Sequence, residues 1–181
     1  MGLDCVIVLD DECTELARFQ TPPGCGPRHL AFHPHLPRAY AVCEMSGDIF
    51  ALEYGISDNK LNLSAGPGIS ALREPDPQNT CAAIRVSPSA RHLLVTNRGV
   101  GTDSISVLGL DTEGNVTKLE RMVSSGGSCP RDIQFNPAGD KLFAANQDSD
   151  SVCVFDWEEE SGSLTLTDTC LSVQKPTCVL F

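Results

Sequence analysis

Hydrophobic and polar residues alternate with a period of two along most of the chain, in short runs bounded by Gly, Pro, Asn and Asp. This alternation predicts β-strands, and the bounding residues predict tight turns between them. The longest apolar runs, such as residues 6–9 and 93–95, are far shorter than the roughly 20 residues that span a membrane as a helix. The pattern therefore predicts an all-β protein.

The alternating runs also repeat. Three stretches align without gaps, and in each an apolar residue is followed by one intervening residue and then Pro. These stretches are residues 27–44 (PRHLAFHPHLPRAYAVCE), 81–98 (CAAIRVSPSARHLLVTNR) and 130–147 (PRDIQFNPAGDKLFAANQ). Each predicts two strands joined by a turn. A third run follows at residues 48–54, 104–108 and 151–157, and a fourth, polar and β-prone, is clearest at residues 164–170.

Units of four antiparallel strands that recur about every 50 residues are typical of a β-propeller. The alternative is a β-sandwich that happens to repeat. Residues 5–10 match the third run, and residues 176–181 match the start of the first. The predicted blades are residues 1–26 (partial), 27–80, 81–129 and 130–175, with a closing strand at residues 176–181.

Hairpin geometry brings the start of each first strand beside the end of each second strand, at one rim that should surround the mouth of the central channel. Strand starts supply Arg28, His29 and Arg131. Strand ends supply Glu44, Arg98 and Gln147 at equivalent positions. Three cations, an imidazole and a carboxylate suit an anionic small molecule whose reaction needs proton transfer and charge stabilisation. The planar fork of arginine binds carboxylate or phosphate bidentately.

The sequence thus offers Glu44, Arg28, Arg98 and His29 as catalytic candidates, and Arg131, Asn97 and Gln147 as substrate-binding candidates. Each has a plainer interpretation. An arginine at a strand end is often solvated or salt-bridged, and a histidine in a strand is often only a polar strand residue. Asn97 has a competing role in satisfying backbone groups at the strand end.

Composition narrows the ligand class. Asp and Glu number 24 against 13 Lys and Arg, for a net charge of −11, which argues against binding to nucleic acids or anionic membranes.

Nine cysteines occur without a CxxC motif, so no metal site is expected. The first residues lack the basic stretch and cleavage site of a signal peptide, so we expect a reducing cytoplasm. Cys43, Cys153 and Cys178 lie in apolar strand-like stretches, where a free thiol acts as a small buried hydrophobe.

The segments GPRHLAFHP, SPSARHLLVTNRG, DSISV, PRDIQFNPAGDKLFAANQDSDSVCVF and KPTCVLF closely resemble the lactonase family of seven-bladed β-propellers. That family includes the propeller type of 6-phosphogluconolactonase and the fungal carboxy-cis,cis-muconate cyclase. The resemblance covers residues 2–181. Fifteen predicted strands, against the 28 of seven blades, indicate about half a propeller, either a fragment or a truncated product. A further histidine of the family site would lie upstream.

The resemblance implies a cofactor-free hydrolase of a lactone such as 6-phosphoglucono-1,5-lactone. Arg28, Arg98 and Arg131 would bind the anion and stabilise an oxyanion, and Glu44 would act as general acid or base. A muconate-type lactonising cyclase or another sugar lactonase is one alternative. A non-catalytic propeller that binds partners is another, disfavoured because the WD dipeptide of common scaffolding propellers is absent at the strand ends. The resemblance leaves open which lactone is used and whether this length of chain is active.

Overall fold

The computed structural model describes residues 2–58, 60–99 and 103–181, and almost all of its regular structure is β-strand. Within those ranges, no helix is long and apolar enough to cross a membrane. The strands are β1 (Cys5–Leu9), β2 (Glu15–Gln20), β3 (Pro27–Phe32), β4 (Arg38–Cys43), β5 (Asp48–Ser57), β6 (Lys60–Ala65), β7 (Ile69–Ser70), β8 (Thr80–Val86), β9 (His92–Arg98), β10 (Ser104–Leu110), β11 (Val116–Ser124), β12 (Pro130–Phe135), β13 (Lys141–Asn146), β14 (Ser151–Glu158) and β15 (Ser163–Ser172). One 3-10 turn covers Gln147–Ser149.

The strands form sheets in chain order, and every neighbouring pair is antiparallel. Three sheets have the orders β3-β4-β5-β6, β8-β9-β10-β11 and β12-β13-β14-β15, and β1 pairs with β2 in a separate sheet. We call the three four-stranded sheets blades 1, 2 and 3. They confirm the predicted four-strand units. The two-residue strand β7, which pairs with β5 at the outer side of blade 1, was not predicted.

Each blade buries apolar side chains on both faces. In β4, Tyr40 and Val42 enter a core shared with blade 2, while Ala39, Ala41 and Cys43 enter a core shared with β1 and β2. A third core lies between blades 2 and 3, where Leu94, Ile105 and Ile133 pack with Phe155 and Trp157. Successive residues of these strands therefore alternate between two cores, one on each face of the sheet, and do not alternate between a core and solvent.

The inner strands of consecutive blades are neighbours. Strand β3 contacts β8, and β8 contacts β12, so the three first strands of the repeats lie side by side. This serial stacking of sheets about their inner edges is the arrangement of a propeller, whereas a sandwich packs one pair of sheets. The fold predicted from the repeat is confirmed.

The turns between first and second strands follow one geometry. The amide of Ala90 donates to the carbonyl of Ser87 at 2.8 Å, and the amide of Gly139 donates to the carbonyl of Asn136 at 3.0 Å. Both donors have positive φ, 58° for Ala90 and 77° for Gly139. The left-handed conformation suits glycine and strains alanine, so blade 3 has the better-matched turn.

The predicted closing strand at residues 176–181 does not form in the structure. A strand requires hydrogen-bonded neighbours, and this segment instead lies against blade 3. The amide of Val179 donates to Asp132 Oδ2 at 3.0 Å, and the ring of Phe181 packs edge-on to Phe143 at 5.0 Å. Cys178 is consequently exposed, so its predicted burial was wrong.

The other two cysteines expected to be buried hydrophobes have different outcomes. Cys43 is a buried free thiol, as predicted, and burial is the main cause that raises its pKa to about 12. Cys153 is buried but forms a disulfide with Cys170 across β14 and β15. The expectation of free thiols throughout is therefore wrong at this pair.

Tyr40 provides a test of the contact between blades 1 and 2. Its fully buried hydroxyl donates to the carbonyl of Gly114 at 2.8 Å, and burial raises the pKa of Tyr40 to about 12, which keeps the donor proton in place. Replacement by Phe leaves that carbonyl without this donor, so we expect Tyr40→Phe to lower the free energy of unfolding by about 1–2 kcal/mol.

Urea denaturation followed by circular dichroism measures this change. The only other tyrosine, Tyr54, is half-buried, and its hydroxyl makes no hydrogen bond within the described part of the chain, so Tyr54→Phe is the matched control and should change stability by less than about 0.5 kcal/mol. Equal effects of the two substitutions would contradict the proposed contribution of the Tyr40 hydrogen bond.

Candidate active site at the blade rim

The rim predicted from the repeat is built by one backbone pattern in blades 1 and 3. In blade 1 the amide of Glu44 donates to the carbonyl of Gly26 at 2.8 Å. In blade 3 the amide of Gln147 donates to the carbonyl of Cys129 at 2.9 Å. Each bond ties the end of a second strand to the residue just before a first strand, so the two element ends share an edge as hairpin geometry requires.

Each inner strand has a register shift directly beside the rim. The shifts lie between Pro27 and His29 in β3, between residues 81 and 84 in β8, and between Pro130 and Asp132 in β12. A β-bulge turns the extra residue away from the regular pleat and is frequent next to functional sites. Arg28 and Arg131 are the extra residues of their strands, so the same local distortion orients both.

The Glu44 carboxylate is the centre of the rim cluster. Its Oε2 lies 3.4 Å from Arg28 Nε in its own blade, and its Oε1 accepts a hydrogen bond of 2.5 Å from Arg98 Nη2 in the next blade. The three side chains are only 13–16% exposed. Charge-assisted hydrogen bonds are strong in such partly buried surroundings, so the carboxylate links two arginines across the boundary between blades 1 and 2.

Backbone carbonyls of β8 hold the same two guanidinium groups. Arg28 Nη1 donates to the carbonyl of Ala82 at 2.8 Å, and Arg98 Nη2 donates to the carbonyl of Cys81 at 2.9 Å. The amide of Cys81 in turn donates to the carbonyl of Glu44 at 3.0 Å. The sequence analysis did not predict these acceptors. The alignment of the repeats did contain a signal: residues 82 and 83 are small where blade 1 has Arg28 and His29, which leaves space for an arginine side chain.

His29 lies beside Arg28, whose Nη1 is 3.2 Å and 3.3 Å from the two imidazole nitrogens. Burial, followed by the positive charges of Arg28 and Arg85, lowers the pKa of His29 below its ordinary 6.5. Burial likewise lowers the pKa of Arg28, an effect that Glu44 opposes and that Arg98 and Arg131 reinforce. The imidazole of His29 is therefore neutral at pH 7 and able to accept a proton.

Arg131 differs from the other two rim arginines. Among the residues described, it makes no ion pair and no side-chain hydrogen bond, although it lies close enough to Arg28 for its charge to lower the pKa of that arginine. Gln147 Oε1 is buried and likewise has no hydrogen-bond partner within the described chain. At the rim, Arg28 and Arg98 are therefore ion-paired with Glu44, whereas Arg131 has no ion pair among the described residues.

Asn97 lies outside this cluster. It is fully buried, and its amide nitrogen donates to Ser104 at 3.1 Å and to Ser106 at 2.8 Å. Its oxygen accepts from the Cys81 thiol at 3.3 Å. The Asn97 side chain therefore joins strands within blade 2, which is the plainer interpretation given from the sequence. It does not lie with the residues predicted to bind substrate.

A second ion pair lies on the inner strands, below the rim. Arg85 Nη2 donates to Asp132 Oδ1 at 2.8 Å, and the Asp132 side chain is 5% exposed. Sequence analysis placed no functional residue here. Asp132 occupies the position equivalent to His29, so a comparison of the aligned repeats by charge would have marked it.

A shallow, open depression of about 400 Å³ lies beside Arg98 at the boundary between blades 2 and 3. It is lined by Gln78, Arg98, Gly99, Asp103, Ser128, Cys129 and Asp148. Over the described ranges there is no group of three or more His, Cys, Asp or Glu side chains placed to hold a metal ion.

The sequence and the fold are similar to those of known proteins. Over residues 1–181 the chain matches the family model described as lactonase, 7-bladed beta-propeller. It is 36% identical over 179 residues to the 6-phosphogluconolactonase of Bacillus subtilis, which covers 95% of this chain and 48% of that protein.

Two solved structures have similar folds. A Lactobacillus plantarum protein superimposes with a TM-score of 0.86 at 27% identity, covering 97% of this chain and 51% of its own. The periplasmic gluconolactonase PpgL of Pseudomonas aeruginosa gives 0.79 at 29% identity, covering 90% and 44%. The chain spans about half the length of the curated relatives it matches. It belongs to the lactonase family of seven-bladed β-propellers.

Proposed function

We propose that the rim cluster forms part of the active site of a lactone hydrolase that acts on 6-phosphoglucono-1,5-lactone. The observation that carries this proposal is the Glu44 carboxylate between Arg28 and Arg98, with the uncommitted cation of Arg131 nearby. Support comes from two relatives, a 6-phosphogluconolactonase and a gluconolactonase. Arg131 supplies the contact for the anionic group of the substrate.

In this proposal, water attacks the lactone carbonyl and a guanidinium of Arg28 or Arg98 stabilises the oxyanion of the tetrahedral intermediate. Glu44, or neutral His29, accepts the proton that the water loses. The same group returns that proton to the ring oxygen as the carbon–oxygen bond breaks, and the open-chain acid leaves. No cofactor takes part in these steps.

The natural ligand in this proposal is a small anionic lactone, and neither nucleic acid nor a membrane is a partner. The net charge of −11 supports that choice, because the positive charge of the rim is local. We also propose a cytoplasmic location, supported by the buried free thiols of Cys25, Cys43 and Cys81. The Cys153–Cys170 disulfide is the observation that bears against it.

Loss of the central carboxylate or of its partner should remove catalysis. We expect Glu44→Gln and Arg98→Gln each to lower kcat/KM for 6-phosphoglucono-1,5-lactone by on the order of 100-fold, because the first removes a general base and the second an oxyanion donor. Hydrolysis is measured above the spontaneous rate, and binding of the product 6-phosphogluconate is measured by calorimetry, a readout that does not depend on turnover.

Glu53→Gln is the matched control, because Glu53 is 64% exposed and pairs at 3.5 Å with Arg38, at the opposite end of β4 from Glu44. It should leave both readouts within about twofold. Hydrolysis at the spontaneous rate together with no binding of 6-phosphogluconate would overturn the proposed function. Turnover of carboxymuconate instead of the sugar lactone would support the muconate-type cyclase, and co-purifying protein partners with no turnover would support a non-catalytic propeller.

The proton acceptor predicts a pH profile. Because the pKa of His29 is lowered below 6.5, its neutral form persists as the pH falls to that value, and protonation removes the acceptor only at more acidic pH. We expect kcat/KM, corrected for spontaneous hydrolysis, to be level from pH 8 to about 6.5 and to fall below it. In His29→Gln this acid limb should disappear.

His35→Gln serves as the control for this profile, since His35 is an exposed residue in the turn between β3 and β4. It should retain the wild-type acid limb. An acid limb centred above pH 6.5, or one that survives in His29→Gln, would exclude His29 as the proton acceptor.

A further inference from the structure

Blades 1 and 3 present the same pair of positions at the rim. Arg28 and Arg131 are the bulged residues of their inner strands, and Glu44 and Gln147 end the second strands through equivalent backbone bonds. The next residue repeats the match, because the amide of Met45 donates to the carbonyl of residue 25 and the amide of Asp148 to that of residue 128, both at 3.0 Å. The backbone therefore places Arg131 relative to Gln147 as it places Arg28 relative to Glu44.

The side chains differ by one functional group. In blade 1 the carboxylate of Glu44 neutralises Arg28 at 3.4 Å. In blade 3 the isosteric amide of Gln147 carries no charge, and Arg131 has no ion-pair partner among the described residues. Nearby carboxylates do not replace the missing one within the described chain. Asp132 Oδ1 and Oδ2 accept from Arg85 and from the amide of Val179, Asp103 accepts from Ser128 at 3.2 Å, and the exposed Asp148 forms no ion pair with Arg131.

We propose that Gln147 is a specificity-determining residue, whose neutral amide keeps Arg131 available for the anionic group of a phosphorylated lactone. This inference rests on the proposed function and names the selectivity of the same site. A glutamate at position 147 would form an internal ion pair with Arg131, as Glu44 does with Arg28, and would compete with the substrate anion. The site would then discriminate less between a phosphorylated and a neutral sugar lactone.

The contacts of Arg28 and Arg98 explain why the residue at position 147 determines the selectivity for a phosphorylated lactone. Arg98 donates to Glu44 and to a backbone carbonyl of β8. Arg28 forms an ion pair with Glu44 at 3.4 Å and donates to another carbonyl of β8, so both arginines already have an anionic partner. Arg131 has its full hydrogen-bonding fork available within the described part of the rim. A bidentate contact to phosphate needs such an unoccupied fork.

The test compares kcat/KM for 6-phosphoglucono-1,5-lactone with that for neutral glucono-1,5-lactone. Gln147→Glu should lower the ratio by on the order of tenfold or more, which is the effect expected for a charged hydrogen bond, with the neutral lactone changed by less than about threefold. Gln147→Leu, which is neutral, should keep a ratio within about threefold of wild type. An unchanged ratio in Gln147→Glu would overturn the proposal.

Gln174→Glu is the control for added charge, because Gln174 is exposed and lies outside both the repeated pair and the lining of the depression beside Arg98. It should lower the ratio by less than about threefold, since an exposed charge is screened by solvent. Equal losses in Gln174→Glu and Gln147→Glu would assign the effect to the net charge of the protein and refute a specific pair.

A double-mutant cycle gives the decisive result. Arg131→Gln alone should lower the ratio as much as Gln147→Glu does, and adding Gln147→Glu to Arg131→Gln should cause no further loss, because the glutamate has no arginine left to neutralise. Additive losses would refute the pairing. Circular dichroism spectra and melting temperatures of all variants must match wild type before ratios are compared, and Arg131→Gln carries the test if Gln147→Glu does not fold.

Binding of inorganic phosphate, followed by isothermal titration calorimetry of the 181-residue chain, separates this inference from the proposed function. Phosphate should bind wild type and Gln147→Leu and bind at least about tenfold more weakly to Gln147→Glu. This result would uphold the role of Gln147 even if lactone hydrolysis were absent. Lactone hydrolysis with equal phosphate affinity in wild type and Gln147→Glu would uphold the function and overturn the inference.

Discussion

The structure depends on sheets that are apolar on both faces. Neither face of a blade is stable in water until another sheet covers it, so the blades must stack in series. In β4, Tyr40 and Val42 pack in the core shared with blade 2, and Ala41 and Cys43 pack in the core shared with β1 and β2. Stacking brings the inner strands side by side and fixes the separation of the rims. The apolar packing thereby brings the rims of neighbouring blades close enough for Glu44 to contact Arg98.

The ion pairs at the rim are a consequence of the stacking and add specificity to it. Burying charges is costly unless each charge finds a partner and the remaining hydrogen bonds are made. Each oxygen of Glu44 contacts one arginine, and each arginine also donates to a carbonyl of β8, so every charge of the cluster has a partner. The buried Nε of Arg98 has no hydrogen-bond partner among the described residues. Since the charged groups of the cluster come from both blades, the charges are satisfied only when blades 1 and 2 are in register. The chemistry of the site and the alignment of the blades are therefore coupled.

Sequence analysis predicted the units of four strands, their order and the convergence of Arg28, Glu44 and Arg98, because these follow from periodicity and from hairpin geometry. It did not predict features that depend on tertiary pairing. A regular hairpin from the Trp157–Leu164 pair would place Cys153 opposite Asp168, but two extra residues of β15 between Leu166 and Cys170 bring Cys170 there instead. Residues 176–181 have the pattern of a first strand but lack hydrogen-bonded neighbours, so the pattern alone could not produce a strand.

Asn97 shows a further limit of pattern. It precedes Arg98 at the rim in sequence, yet adjacent residues of a strand point to opposite faces, so an arginine at the rim requires its neighbour to face the interior. The full burial of Asn97 and its bonds to two serines follow from this alternation. The alternation of strand faces, combined with the charge of Arg98, could have predicted from the sequence that Arg98 lies at the rim and Asn97 in the interior.

The repeat also explains how one backbone supports different chemistry in neighbouring blades. The equivalent positions at the rim hold Glu44, Arg98 and Gln147, and the backbone bonds beneath the first and last of these are nearly identical in length. Because the main chain supplies the same geometry each time, a change of function needs only a change of side chain. The Glu44 carboxylate contacts two arginines, and Arg98 contacts the preceding blade. Beside the amide of Gln147, Arg131 has no ion pair among the described residues. Stability resides in the repeated cores, whereas the differences among these three side chains determine which charges remain available to a ligand.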